Sequence, residues 1–171
     1  MGSFTIRHTL PLDVDTFWNK VFFDEEFNRR LYLDKLRFRR FERQSFEEGQ
    51  DGSRQQTLLT EPRVSMPGPI QKIVGESFYY LETGHFDPQS KRYKLNIEAP
   101  SFKDRFRLEG ELWVEPKGDK SVERIFAVDC QVKIFGVGGM IESFVEKTTR
   151  ESHDLAVEFT KAYAAEKGLS S

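Results

Sequence analysis

The chain has 171 residues, a length that fits one domain over residues 1–171 and allows a sizeable hydrophobic core. Its 26 Lys and Arg residues nearly balance 28 Asp and Glu residues, so the net charge of -2 gives no general electrostatic basis for binding nucleic acid. The 16 Phe residues predict an extensive aromatic core, a pocket, or both.

The cysteine content predicts a cytoplasmic protein. Cys130 is the only cysteine, so no internal disulfide can form, and the segment around it is apolar. The N-terminus lacks the apolar core of a secretion signal, and no apolar run approaches the roughly 18 residues that span a membrane. Because the three His residues and the cysteine show no metal-ligand spacing, we expect no metal. The glycine-rich turn at residues 136–139 follows an antiparallel hairpin rather than opening a parallel βαβ unit, so we expect no nucleotide or other cofactor there.

The first part of the chain predicts a strand followed by two short helices. Residues 3–10 alternate between apolar and polar side chains, as in a half-buried strand, and the alternation places His8 on the inward face. Asp13 or Asp15 can cap a first helix, and Asp24 can cap a second.

Six further strands are expected as an antiparallel meander, over residues 36–47, 54–64, 77–86, 91–99, 105–115 and 121–135. Phe38 and Phe41 cannot lie on the same face of a regular strand, because one has an even and the other an odd number, so we predict a bulge near Arg39 and Arg40. Successive turns of a meander fall at alternate ends of the sheet, so the connections 62–76, 100–103 and 136–140 are expected at one end.

The segment 135–163 predicts a long amphipathic helix. Its apolar stripe consists of Ile141, Phe144, Val145, Thr148, Ser152, Leu155, Ala156, Phe159 and Tyr163. The polar face is expected to carry Glu146, Arg150, His153, Asp154 and Lys161. Helices segregated from an antiparallel sheet define an α+β fold, and a sheet of about seven strands must curl. We therefore predict a helix-grip fold, with the sheet curved around the terminal helix.

Two stretches resemble the START-like superfamily, which includes the Bet v 1-type allergens and the polyketide cyclases. They are the opening strand at residues 4–11 (FTIRHTLP) and the strand-to-helix junction at residues 134–142 (IFGVGGMIE). Within the superfamily, the chain is most similar to an uncharacterised bacterial family. The resemblance covers nearly the whole chain and implies the helix-grip fold, whereas it implies a function only by analogy.

The centre of the terminal helix suggests a pocket. Thr148 and Ser152 are small and polar where a core helix would carry Leu or Ile, so we expect them to leave room for a ligand and to offer it hydroxyl groups. The alternative is that each hydroxyl bonds to its own helix. The predicted ligand-binding residues are His8, Met66, Ile70, Phe78, Phe102, Phe106, Leu108, Phe126, Val128, Val132, Ile141, Phe144, Val145, Thr148, Ser152 and Leu155.

The connection 62–76 is long for a hairpin and carries apolar residues, so it predicts either a flexible lid over the mouth of the pocket or a structural loop. Met66, Ile70 and Phe102 are expected at that mouth. A basic run over residues 29–43, interleaved with Phe38 and Phe41, allows transient contact with a membrane, although charges on outward strand positions explain it as well.

These features favour a protein that binds a hydrophobic small molecule or lipid between sheet and helix, with no catalytic residue required. One alternative is an enzyme of the polyketide cyclase type that uses His8, Arg40 or Tyr79 in the same cavity. The other is a protein-interaction module with a filled interior and an exposed apolar patch.

Overall fold

The computed structural model describes residues 2–75 and 78–170 and confirms the helix-grip fold. Its strands are β1 (Gly2–Leu10), β2 (Arg40–Glu48), β3 (Arg54–Glu61), β4 (Tyr80–Asp87), β5 (Arg92–Glu98), β6 (Phe106–Pro116) and β7 (Val122–Val132). All neighbours pair antiparallel in one curved sheet of order β1-β7-β6-β5-β4-β3-β2. The long C-terminal helix crosses the inner face of this sheet and packs on β1 and β7.

The helices are α1 (Val14–Thr16), which continues as a π-helix over Phe17–Phe22, α2 (Glu25–Arg29), which continues as a π-helix over Arg30–Lys35, α3 (Gly68–Val74) and α4 (Gly138–Glu166). The two short helices after β1 and the long terminal helix follow the prediction, whereas α3 was not predicted. Asp13 caps α1 by accepting from the backbone of Thr16 at 2.8 Å, and Asp24 caps α2 by accepting from the backbone of Phe27 at 2.9 Å. The Tyr163 hydroxyl donates to the same Asp24 carboxylate at 3.0 Å, which ties the end of α4 to α2.

The main differences from the prediction lie in β2 and in two connections between strands. β2 begins at Arg40 rather than at residue 36, because the second helix runs on to Lys35 and Arg37 adopts a left-handed φ of 58°. Its bulge lies between Arg43 and Ser45 rather than near Arg39 and Arg40. The connection 62–76 contains α3, and a 3-10 helix occupies Pro100–Arg105. The predicted start of β4 at Ser77 lies outside the described residues.

Two glycines on the inner face let aromatic rings approach the backbone of the sheet closely. A Cβ atom at Gly84 would lie 1.7 Å from the Tyr93 hydroxyl oxygen, and a Cβ at Gly110 would lie 2.7 Å from the Phe126 ring. Tyr93 is fully buried in this position. The absence of a side chain at Gly84 is therefore a condition for the placement of Tyr93.

The substitution Gly84→Ala is expected to lower the free energy of unfolding by about 1–3 kcal/mol, the usual cost of overpacking. The new methyl group displaces Tyr93 from its hydrogen bonds with Gln56 and Glu82. Urea unfolding measures the loss. Gly139→Ala is the matched control, because a Cβ there meets nothing within 4 Å. A Gly84→Ala protein as stable as the wild type would contradict the placement of Tyr93.

Candidate functional site

A cavity of about 270 Å³ lies between the inner face of the sheet and α4. Its walls are mainly aromatic and aliphatic side chains. Thirteen of the sixteen residues proposed from the sequence line it, namely Met66, Ile70, Phe78, Phe102, Phe106, Leu108, Phe126, Val128, Ile141, Phe144, Val145, Thr148 and Ser152. They come from β6, β7, α3, α4 and the connections between β3 and β4 and between β5 and β6.

The other three proposed residues do not line the cavity. His8 lies on β1, beside the edge of α4, where its Nε2 is 2.8 Å from a carboxylate oxygen of Asp154. Val132 is buried in the core, and its backbone N–H donates to the Glu142 carboxylate at 2.9 Å. Leu155 is 40% exposed on the outer side of α4.

The face of α4 that meets the cavity is rotated from the predicted stripe. It includes Thr149 and His153 and leaves out Leu155. Its members are Ile141, Phe144, Val145, Thr148, Thr149, Ser152, His153, Ala156 and Thr160. The placement of His153 on the polar face was therefore wrong, and so was the inward placement of Leu155.

The end of the cavity that we expected to be a mouth is covered. Ile70 is 2% exposed and Phe102 is 4% exposed, so both close the cavity rather than rim an opening. The Phe102 ring stacks on Phe106 with centroids 5.4 Å apart. α3 packs against the 3-10 helix at this end. The connection 62–76 is thus a helical cap that contributes Met66, Ile70 and Val74 to the wall.

The hydroxyl of Thr148 is used within its own helix. It donates to the backbone oxygen of Phe144 at 2.9 Å and lies 3.2 Å from that of Val145. This is the alternative raised from the sequence, and it leaves Thr148 to contribute its small size to the cavity wall rather than a free donor.

A first polar group in the wall joins three strands. Gln56 on β3 donates to the Tyr93 hydroxyl at 3.0 Å, and Tyr93 on β5 donates to the Glu82 carboxylate on β4 at 2.8 Å. Burial raises the pKa of Glu82 from 4.5 to about 7, although the hydrogen bond from Tyr93 opposes the shift. Glu82 can therefore exchange a proton near neutral pH inside an apolar cavity.

A second polar group lies where β7 faces α4. Nη2 of Arg124 is 3.1 Å from Nδ1 of His153, and the His153 ring stacks on Phe126 with centroids 4.9 Å apart and planes at 4°. Burial lowers the pKa of Arg124 to about 10, so its guanidinium stays charged at neutral pH. Burial and the positive charge of Arg124 together lower the pKa of His153 well below its usual value, so the imidazole is neutral.

Sequence reasoning missed these polar residues, although a signal was present for two of them. Arg124 has the same parity as Phe126 and Val128, and Glu82 has the same parity as Phe86, so alternation alone points both charges inward. The residues proposed instead for an enzyme lie elsewhere. Arg40 is exposed and paired with Glu42, and Tyr79 is also exposed.

Two negative findings concern the described residues 2–75 and 78–170. They contain no cluster of three or more His, Cys, Asp or Glu side chains suited to a metal ion. None of their helices is long and apolar enough to cross a membrane.

Comparison with solved structures shows that the chain has a START-like fold. A protein from Thermus thermophilus matches with a TM-score of 0.65 and 17% identity over 94% of each chain. The Zhui aromatase/cyclase from Streptomyces sp. R1128 matches with a TM-score of 0.65 and 12% identity over 95% of this chain and 93% of the other. A START superfamily protein from Mycobacterium smegmatis matches with a TM-score of 0.62 and 16% identity over 94% and 97%.

At these identities the similarity establishes the fold and leaves the activity open. A search of curated proteins found no match to this chain. One family model does match, over residues 5–163, and it therefore covers nearly the whole chain. The chain belongs to that family, which is described as "Protein of unknown function (DUF2505)" and has, in this member, a START-like helix-grip fold.

Proposed function

We propose that this protein binds a hydrophobic small molecule, lipid-like or polycyclic, in the cavity between its sheet and α4. The observation that carries the proposal is the cavity itself, with a volume of about 270 Å³ and mainly apolar walls. This volume lies just below the roughly 300 Å³ at which ligand pockets in proteins start, and far above the roughly 10–15 Å³ that a single water needs. The space thus suits a compact organic guest.

The proposed binding energy comes mainly from apolar burial, at about 25 cal/mol for each Å² removed from water. The wall offers many phenylalanine rings for this purpose, among them Phe102, Phe106, Phe126 and Phe144. A module built only for protein contacts would not need an internal cavity, so the cavity favours ligand binding over the interaction alternative.

The substitution Thr148→Trp is expected to weaken binding of the neutral dye 1-anilinonaphthalene. The indole ring would project from the middle of α4 into the cavity and occupy the space of a guest. We expect the dissociation constant, measured from the fluorescence of the dye, to rise by about tenfold or more, which corresponds to about 1.4 kcal/mol.

Lys147→Trp is the control, because Lys147 is on the same helix and points into solvent. This variant should bind the dye as the wild type does. Both variants should keep the circular dichroism of the wild type. Equal binding by Thr148→Trp and the wild type would contradict the proposed site.

Native mass spectrometry of the freshly purified protein provides a second test. We expect an apolar compound to co-purify with the wild type and to be absent from Thr148→Trp. A compound retained equally by both variants would place the bound molecule outside the cavity.

A second candidate function, an enzyme of the cyclase type, is favoured by Glu82. A carboxyl group whose pKa lies near 7 can act as a general acid or base at neutral pH. In this function Glu82 would move a proton of the bound molecule, while Tyr93 holds the carboxyl in place at 2.8 Å. Conversion of the retained compound to an isomer with a different chromatographic retention time by the wild type, but not by Glu82→Gln, would support it.

The raised pKa of Glu82 makes stability depend on pH with a defined sign. Between pH 4.5 and about 7 the folded protein keeps a proton that the unfolded chain releases, so the contribution of Glu82 is greatest below pH 4.5 and falls as the pH rises to about 7. Glu82→Gln is uncharged throughout. Relative to this variant, the wild type should lose roughly 1–3 kcal/mol of unfolding free energy between these limits. Urea unfolding at a series of pH values measures the difference, and parallel pH profiles would contradict it.

A further inference from the structure

Arg124 is a buried cation in the wall of the cavity. Its side chain is 8% exposed and comes from the inner face of β7. Its hydrogen bond partner is the imidazole of His153, at 3.1 Å. Among residues 2–75 and 78–170, no carboxylate lies within ion-pair distance of this guanidinium.

Other shielded arginines of the chain do meet a carboxylate. Arg43 lies 2.7 Å from Glu25, and Arg54 lies 3.2 Å from Glu48. Burying a charge costs several kcal/mol unless a counter-charge or hydrogen bonds offset it. Arg124 therefore departs from the pattern that the rest of this chain follows.

His153 does not supply the missing negative charge. Because its Nδ1 accepts a hydrogen bond from Arg124, the neutral ring carries its proton on Nε2. The stacked ring of Phe126 holds the imidazole in this orientation. The pair thus orients the guanidinium but leaves its full positive charge at the cavity wall.

The other groups that face Arg124 do not neutralise it either. His8 is its direct neighbour across the β1–β7 pair, and the carboxylate of Asp154 is engaged with His8 at the solvent side. Tyr32 faces Arg124 from the π-helical continuation of α2. Burial raises the pKa of Tyr32, which keeps its hydroxyl uncharged. Glu82 lies on β4, three strands away from β7 in the sheet.

We propose that Arg124 binds the anionic group of an amphipathic organic anion whose apolar body fills the cavity. This inference deepens the proposed binding function and rests on it. A guanidinium carries five N–H donors in a planar fork, of which the contact with His153 uses Nη2, and charge-assisted bonds from such a fork to an anionic oxygen group are strong. The ligand then provides the counter-charge that no described carboxylate of the chain provides.

Two dyes of the same ring skeleton test the proposal. 1-Anilinonaphthalene-8-sulfonate is an anion, and 1-anilinonaphthalene is its neutral parent. We expect Arg124→Met to weaken binding of the sulfonate by about 10- to 100-fold, the range expected for loss of a charge-assisted hydrogen bond. Binding of the neutral dye should change by less than about threefold, because methionine keeps the apolar wall.

Arg107→Met is the charge-matched control, since Arg107 is exposed on the opposite face of the sheet and paired with Glu109 at 3.1 Å. It should bind both dyes as the wild type does. Equal weakening of both dyes by Arg124→Met, or no weakening of the sulfonate, overturns the proposal. Failure of the wild type to bind either dye overturns the proposed function as well, so the two failures are distinguishable.

A measurement on the wild type covers the case in which Arg124→Met does not fold. The Nε–H signal of Arg124 in a nitrogen-15 spectrum, assigned by its absence from Arg124→Lys, should shift on addition of the sulfonate and stay in place with the neutral dye. An Arg124 signal that responds alike to both dyes, or to neither, overturns the proposal.

Discussion

The cavity exists because α4 is fixed at its two ends and has small side chains in between. At its start, Gly138 approaches the backbone so closely that a Cβ atom would lie 2.4 Å from the Val132 carbonyl oxygen. At its end, Tyr163 donates to Asp24 and is buried. The inward residues from Phe144 to His153 are half-buried and line the cavity. The two anchors therefore hold α4 in place at its ends, and the side chains in its middle do not fill the space between the helix and the sheet.

The fold could be predicted from the sequence because its strands and its terminal helix each have one face in the core. The alternation of apolar and polar residues in the strands and the three-and-four spacing of apolar residues in the helix are direct consequences of that burial. The misses have local causes. α3 lies between Pro67 and Gly75, residue types that usually mark a loop, and its packing partners are distant in sequence. The start of β2 depends on the left-handed turn at Arg37, a conformation that an arginine rarely adopts and that its sequence does not indicate.

The polar part of the candidate site was harder to predict, although part of it follows from parity. Arg124 occupies an inward position of β7, and a charge at such a position is itself informative because it costs free energy unless something compensates it. His153 required the rotation of α4 about its axis, which the apolar stripe placed incorrectly by including Leu155. The link from Tyr93 to Glu82 required the sheet register. Tyr93 pairs with Phe86 of the adjacent strand and reaches along that strand to Glu82 only because Gly84, which lies between them, has no side chain. No pattern within one strand contains that information.

The apolar wall and the two polar groups have different consequences for a guest. Burial of apolar surface provides affinity for many compounds, because the hydrophobic effect is not directional. We expect the guanidinium of Arg124 and the carboxyl of Glu82, which lie on strands three positions apart, to discriminate among those compounds by the place and charge of their polar atoms. A guest that binds only the folded state also adds RT ln(1 + [L]/Kd) to stability. If the proposed function holds, the molecule that stabilises this fold most is therefore one that combines an apolar body with a negative charge beside Arg124.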